Sequence, residues 1–260
     1  MQKPKLISIT NYFLALSLLS FSFMACSDDD DNNSTTASSS TQSVGSFSNG
    51  YLSDQTYRSL NVELLYEDGA KPDESVRDTI SRFLNQYLNK PQGVSINWKK
   101  IPNQGKNVYS LSDLKKIESD FRSVQNSGNV ASAYLFFANG DYDQNTQNST
   151  VLGMAYGSTS MVVFHKTVGD NTAGVGSPST SMVEGIVSRH EFGHIFGLVN
   201  LGTRMVNNHQ DQAHGKHCDN QDCLMYWETE NGSFISNLIG NSVPTLDANC
   251  QADLKANGGK

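Results

Sequence analysis

The tightest constraint in this chain is the stretch His190-Glu191-Phe192-Gly193-His194. Residues four apart share one face of an α-helix, so a helix here carries two imidazoles side by side, with Glu191 one position round from the first. The flanks favour a helix. Met182, Val183, Ile186 and Val187 precede the motif at helical spacing, and Gly197 stands where the helix should stop. Two imidazoles at this spacing suit zinc, which in a catalytic site takes three protein ligands and keeps a fourth position for water. The metal lowers the pKa of that water towards neutrality, and an adjacent carboxylate can take the proton and return it to a leaving amine. The pattern points to hydrolysis of a peptide bond, with His190 and His194 as ligands and Glu191 as the base.

Two His do not complete such a site, and beyond Gly197 the chain offers Asn200, His209, His214 and His217. A neutral amide is a poor zinc ligand, which removes Asn200, and His214 reads as a solvent-facing loop residue. His217-Cys218-Asp219-Asn220-Gln221-Asp222-Cys223-Leu224-Met225 then has the form His-Cys-x4-Cys-x-Met. Together with the helix motif it resembles the archaemetzincins, with an insertion of about seventeen residues between Gly197 and His217. The resemblance spans Arg189 to Met225 and implies zinc held by His190, His194 and His217, with Glu191 as base. It also implies that Met225 forms a turn beneath the metal, and that the edge strand of a twisted sheet binds extended peptide. His209, nearer the helix in sequence, remains the alternative third ligand.

Of the four cysteines, Cys218, Cys223 and Cys250 fall in the C-terminal part. The resemblance implies a structural zinc on four cysteines, but the last pair here reads Cys250-Gln251-Ala252-Asp253. Oxygen is an acceptable zinc ligand, so a second zinc on Cys218, Cys223, Cys250 and Asp253 is one expectation. The other is a disulfide, most simply Cys218 with Cys223, leaving Cys250 as a small buried residue of a terminal helix with Leu246 and Leu254.

At the N-terminus, Lys3 and Lys5 precede an apolar run from Ile7 to Phe23, and Phe23-Met24-Ala25-Cys26 resembles a bacterial lipobox. Residues 1–25 are expected to be a lipoprotein signal, with Cys26 lipidated. Residues 26–50, an Asp run followed by Ser, Thr, Asn and Gln, are expected to be a disordered tether. An acidic run after the lipidated cysteine resembles the surface-export signal of Bacteroidetes lipoproteins, which implies an outer-membrane, cell-surface location. Residues 51–260 are long enough for one domain with a sizeable core. The net charge of −7 and the lack of any basic cluster exclude nucleic acid as a partner. A monomer acting on peptide or protein is expected.

Elements upstream of the motif set the fold class. Val62, Leu64 and Tyr66 alternate as a strand; Pro72 and Asp73 open a helix with Val76, Ile80, Phe83, Leu84, Tyr87 and Leu88 as its stripe; Val94, Ile96 and Trp98 form a second strand. Ser112 or Asp113 caps a helix with Leu114, Ile117, Phe121 and Val124 inward, and Ala133 to Phe137 reads as a central buried strand. Two short strands follow, Val151 to Ala155 and Ser160 to Phe164, and then a Gly- and Ser-rich loop from Gly169 to Ser181. His165 ends a strand and is structural. The order gives an α/β fold of metzincin type: a mainly parallel sheet with an antiparallel edge strand, two backing helices, the motif helix, and a loop-rich C-terminal part with a terminal helix. The rival reading is a non-catalytic surface lipoprotein whose metal only stabilises it. Such a site has no need of Glu191.

Overall fold

A computed structural model describes residues 42–147, 149–238 and 242–260. The expected signal, Cys26 and residues 27–41 of the expected tether lie outside the described residues. Folded structure begins before residue 51. Helix α1 (Ser48–Leu52) is led in by Phe47, whose ring meets Tyr51 and Tyr57 edge-on at centroid distances of 5.0 and 5.1 Å. Composition hid this, because two apolar anchors, Val44 and Phe47, pack on the core from within a Ser-rich stretch.

The chain then runs β1 (Ser59–Glu67), α2 (Glu74–Tyr87), β2 (Val94–Ile101), β3 (Val108–Tyr109), α3 (Leu111–Phe121), β4 (Val130–Phe137), β5 (Asp141–Tyr142), β6 (Gly153–Gly157) and β7 (Ser160–Val163). Five strands form one sheet in the order β2-β1-β4-β7-β6. All neighbours are parallel except β6, which runs antiparallel to β7 at the edge. β4 takes the centre because both its faces are apolar: Ala133, Leu135 and Phe137 enter one core cluster, and Tyr134, Phe136 and Ala138 the other. β3 and β5 pair separately as a two-stranded parallel ribbon, which the sequence pattern does not reveal.

The helices divide between the two faces. α2 buries its stripe, Val76, Ile80, Phe83, Leu84 and Tyr87, on the first, and starts where Asp73 Oδ1 accepts the Ser75 N–H at 2.9 Å. α3 puts Leu114 and Ile117 on the second. Its cap is Ser110, not Ser112 or Asp113: Ser110 Oγ accepts the Asp113 N–H, and Asp113 Oδ2 accepts the Ser110 N–H, a reciprocal pair. Another correction concerns the loop expected from Gly169. Residues His165–Thr172 form α4, because Thr167, Val168 and Thr172 are buried and Lys166 pairs with Asp170 one turn on at 2.7 Å. His165 therefore opens a helix, where its Nδ1 meets buried Glu184 at 2.5 Å.

After α5 (Thr180–Ile195) the chain is mostly loop: a 3-10 turn at Trp227–Glu230, then α6 (Ser233–Leu238) and α7 (Ala248–Ala256). No helix among the described residues is long and apolar enough to cross a membrane. Leu135 is fully buried in mid-sheet, its register partners being Leu64 and Met161. Leu135→Ala should therefore cost about 2–5 kcal/mol of unfolding free energy, read as a lowered urea midpoint with unchanged slope.

Candidate metal centre

Helix α5 starts where Ser179 Oγ accepts the Met182 N–H at 3.2 Å. From Val183 to Ile195 nearly every residue is buried, since α2 and the sheet cover one side and the C-terminal loops the other. Three glycines set how closely it is approached. A Cβ on Gly185 would come within 3.2 Å of Thr79 on α2, one on Gly153 of β6 would meet Val187 at 2.5 Å and Glu191 Oε1 at 3.1 Å, and one on Gly193 would lie 2.3 Å from Met225 Sδ. Met225 thus packs on the helix between the two ligand candidates. The helix ends as the sequence implies: Phe196 is the last residue near helical geometry, and Gly197 takes a φ of +79° that a side chain would resist.

His190 and His194 point the same way, with Nε2 atoms 3.0 Å apart. His190 Nδ1 donates to the Leu224 carbonyl at 2.7 Å and His217 Nδ1 to the His214 carbonyl at 2.8 Å, so both present an unprotonated Nε2 inward. His217 Nε2 and His194 Nδ1 are buried without a hydrogen-bond partner, as are both carboxylate oxygens of Glu191. Glu230 completes the group. Its Oε2 lies 3.8 Å from His190 Nε2 and 3.9 Å from His194 Nε2, and its Oε1 lies 3.6 Å from His217 Nε2. These four residues can offer one donor atom each, all within 4.8 Å of one another. Donors on a tetrahedral zinc with bonds of about 2.0 Å are separated by about 3.3 Å, so this donor set fits the metal.

Electrostatics within the group follow from burial. Burial first, then the charge on Glu230, pushes the Glu191 carboxyl well above the usual carboxylate range. Burial, with His190 beside it, holds His194 well below the ordinary imidazole range. The centre opens on a cavity of 340 Å³ lined by Met154 and Ala155 of β6, Leu201, His194, His217 and Glu230. A larger one, 520 Å³ between α2 and α5, is lined by residues such as Arg82, Ile186 and Arg189 and contains none of the candidate ligands.

His209 is not part of this group. A bridge between Gln210 and Cys218, with Asp211 N–H donating to the His217 carbonyl and Asp219 N–H to the His209 carbonyl, folds residues 209–219 back on themselves. His217 goes to the first group and His209 to a second. There His209 Nδ1 is 3.4 Å from Cys218 Sγ and 3.9 Å from Cys250 Sγ, and Cys250 Sγ is 3.6 Å from Cys223 Sγ. Asp253 does not face the sulfurs as expected. Its Oδ2 meets His209 Nε2 at 2.8 Å and its Oδ1 accepts the Val206 N–H at 2.6 Å, so it orients the imidazole instead. The expected Cys218–Cys223 disulfide is also absent, all three thiols being free. Hydrogen bonds from Cys218 and Cys250, with backbone N–H groups of Asp247 and Met225, bring the Cys223 thiol down to about 4, while Cys218 is pushed up to about 11. His209, Cys218, Cys250 and the Asp247 carboxylate can offer donor atoms all within 4.8 Å of one another, with Cys223 Sγ next to Cys250, a mix of nitrogen, sulfur and oxygen that suits structural zinc.

No protein-family model matches this chain, and no curated protein does. Solved structures do. Archaemetzincin from Methanopyrus kandleri is similar with a TM-score of 0.51 at 18% identity, over 77% of this chain and 96% of that one. The fold is archaemetzincin-like. A zinc-dependent peptidase from Methanocorpusculum labreanum matches with a TM-score of 0.47 at 17% identity, over 74% of this chain and 99% of that one. Metalloproteinase-II from Bacteroides fragilis matches at 0.46 and 16%, over 80% of this chain and 56% of that one.

Within this archaemetzincin-like frame, sequence reasoning missed Glu230 and the place of His209. Glu230 belongs to no motif, and only the tertiary fold of the 3-10 turn brings it inward. The tight seat of Met225 is testable. Gly193→Ala should lower the thermal midpoint and weaken zinc binding, because the new methyl must push Met225 off the helix. Gly169→Ala in α4, where an added Cβ meets nothing within 4 Å, should instead be neutral or stabilise by about 0.5–1 kcal/mol.

Proposed function

We propose that this chain is a zinc-dependent peptidase whose centre is His190, His194 and His217, with Glu191 as the general base. The observation that carries the reading is the meeting of three imidazoles at a cavity beside the edge strand, with the buried, unpartnered carboxylate of Glu191 next to the first of them on the helix. The archaemetzincin-like fold supports it. Zinc bound there supplies a Lewis acid and brings the pKa of a water towards neutrality.

Everything else is done by side chains and backbone. Glu191 takes the proton on its carboxylate and gives it to the nitrogen of the leaving amine, a task suited to a carboxyl whose proton affinity burial raises. Its packing against Gly153 fixes that carboxylate and keeps bulk water away. β6 ends the sheet, so an extended peptide can add alongside it by main-chain hydrogen bonds, with Met154 and Ala155 at the cavity. The Nδ1–H bonds of His190 and His217 to backbone carbonyls hold the two rings in orientation. We assign a second, structural zinc to His209, Cys218, Cys223 and Cys250, with Asp253 orienting His209. Lipidated Cys26 anchors the protein to the outer membrane, facing the cell exterior.

Zinc analysis combined with digestion of a peptide library tests the mechanism. The protein should hold two zinc ions, and Glu191→Gln should keep both while hydrolysis falls by about 10²-fold or more. Undiminished turnover in that variant would remove the peptidase reading. Anchoring is tested by cell fractionation, where Cys26→Ser should move the protein out of the membrane fraction, the chain then lacking its one acylated residue.

A further inference from the structure

The carboxylate of Glu230 is the one feature of the pocket that three-ligand chemistry leaves unused. It straddles the imidazole triad, with Oε2 turned to His190 and His194 and Oε1 to His217, at 3.6 to 3.9 Å from the three Nε2 atoms. Three neutral imidazoles would leave a dication fully charged in a pocket whose His side chains are 0% to 10% exposed. An added carboxylate halves that charge where burial makes it most costly. The side chain of Glu230 is 29% exposed, so it stands at the mouth, whereas Glu191 is fully buried. Its backbone is pinned beside the entry to β6: the Glu230 carbonyl accepts the Leu152 N–H at 2.8 Å, and Asn231 bridges Val151. A fixed backbone with a long, partly exposed side chain suits a group that can bind and swing away.

We propose that Glu230 is a fourth protein ligand of this centre, occupying the position a peptidase needs open, so that the resting site is closed until an incoming peptide displaces the carboxylate. The displacement rests on the peptidase reading above; the ligation does not. Glu191 and Glu230 thereby divide the work, one moving protons and the other gating access. Because Glu230 immediately precedes Asn231, which bridges Val151, a peptide pairing with β6 approaches the same segment that holds the gate.

The test uses the full chain loaded with cobalt, and with zinc for affinity, as wild type, Glu230→Ala and the near-isosteric Glu230→Gln. In the parent, added azide should leave the cobalt d–d bands unchanged, since four protein donors fill the coordination sphere. Both variants should respond to azide. Their zinc affinity should fall by at least about tenfold, a loss that even outer-shell partners of a metal can cause. The cysteine-rich cluster, with four donors of its own, adds a constant background to all three spectra. An azide response in the parent equal to that of the variants, with unchanged zinc affinity, would overturn the proposal. Peptide hydrolysis is read separately. Faster turnover in Glu230→Ala at saturating zinc supports gating. The predicted azide pattern without hydrolysis in any of the three chains keeps the ligation but overturns the gate and the peptidase reading together.

Discussion

Two imidazole nitrogens face each other at 3.0 Å inside a packed interior, close enough either to share a proton or to flank a metal ion. With His190 Nδ1–H committed to the Leu224 carbonyl, its Nε2 lone pair is aimed at His194, where it can accept the His194 Nε2–H or, with His194 deprotonated there, meet a metal ion. Much of the molecule is arranged to keep that contact in place. α5 is clamped by α2 through Gly185, by β6 through Gly153 and by Met225 through Gly193, and at each point the missing side chain lets the neighbour approach. A helix held on three sides cannot turn His190 and His194 outward. The cost of burying His217 Nε2 without a hydrogen-bond partner falls on the metal-free protein, which ties the stability of this region to a bound metal.

The parts of this arrangement that were legible in the sequence are those governed by local periodicity. A spacing of four on a helix, the α2 stripe and the uninterrupted apolar run of β4 each follow from geometry that a dozen residues carry with them. The antiparallel edge was legible because Val151 to Ala155 and Ser160 to Phe164 are too close in sequence for a crossover. What escaped had no period. α4 was obscured by Gly169 in its middle, yet its buried Val168 and Thr172 outweigh the glycine's entropy cost. Val44 and Phe47 are two anchors in a polar stretch, and their contribution appears only against Tyr51 and Tyr57.

The exchange between His209 and Asp253 shows a different limit. Sequence spacing aligned Asp253 with a cysteine of the archaemetzincin pattern, and as a carboxylate it was chemically acceptable in that role. In the folded chain the turn of residues 209–219 delivers an imidazole to the sulfurs, and Asp253 then serves better as its hydrogen-bond partner. His209 stands where Asp253 was expected, through a contact between residues 44 apart. No local pattern encodes such a contact. Glu230 is hidden in the same way, brought to the triad by a turn whose own sequence has no ligand spacing.

The two clusters are joined by the covalent chain, which gives the second a mechanical part in the first. His217 belongs to one and Cys218, the next residue, to the other; Cys223 lies two residues before Met225 and accepts its N–H. The Cys218 N–H donates to the Met225 carbonyl at 2.8 Å, closing the segment into a small loop. Fixing Cys218, Cys223 and Cys250 on one point therefore fixes the third imidazole and the methionine beneath the helix. This also explains how the long insertion before His217 is tolerated. The entropy of closing a loop grows only with the logarithm of its length, so an excursion from Leu198 to Lys216 costs little more than a short one. What matters is how firmly its far end is held, and the sulfur cluster holds it one residue from His217.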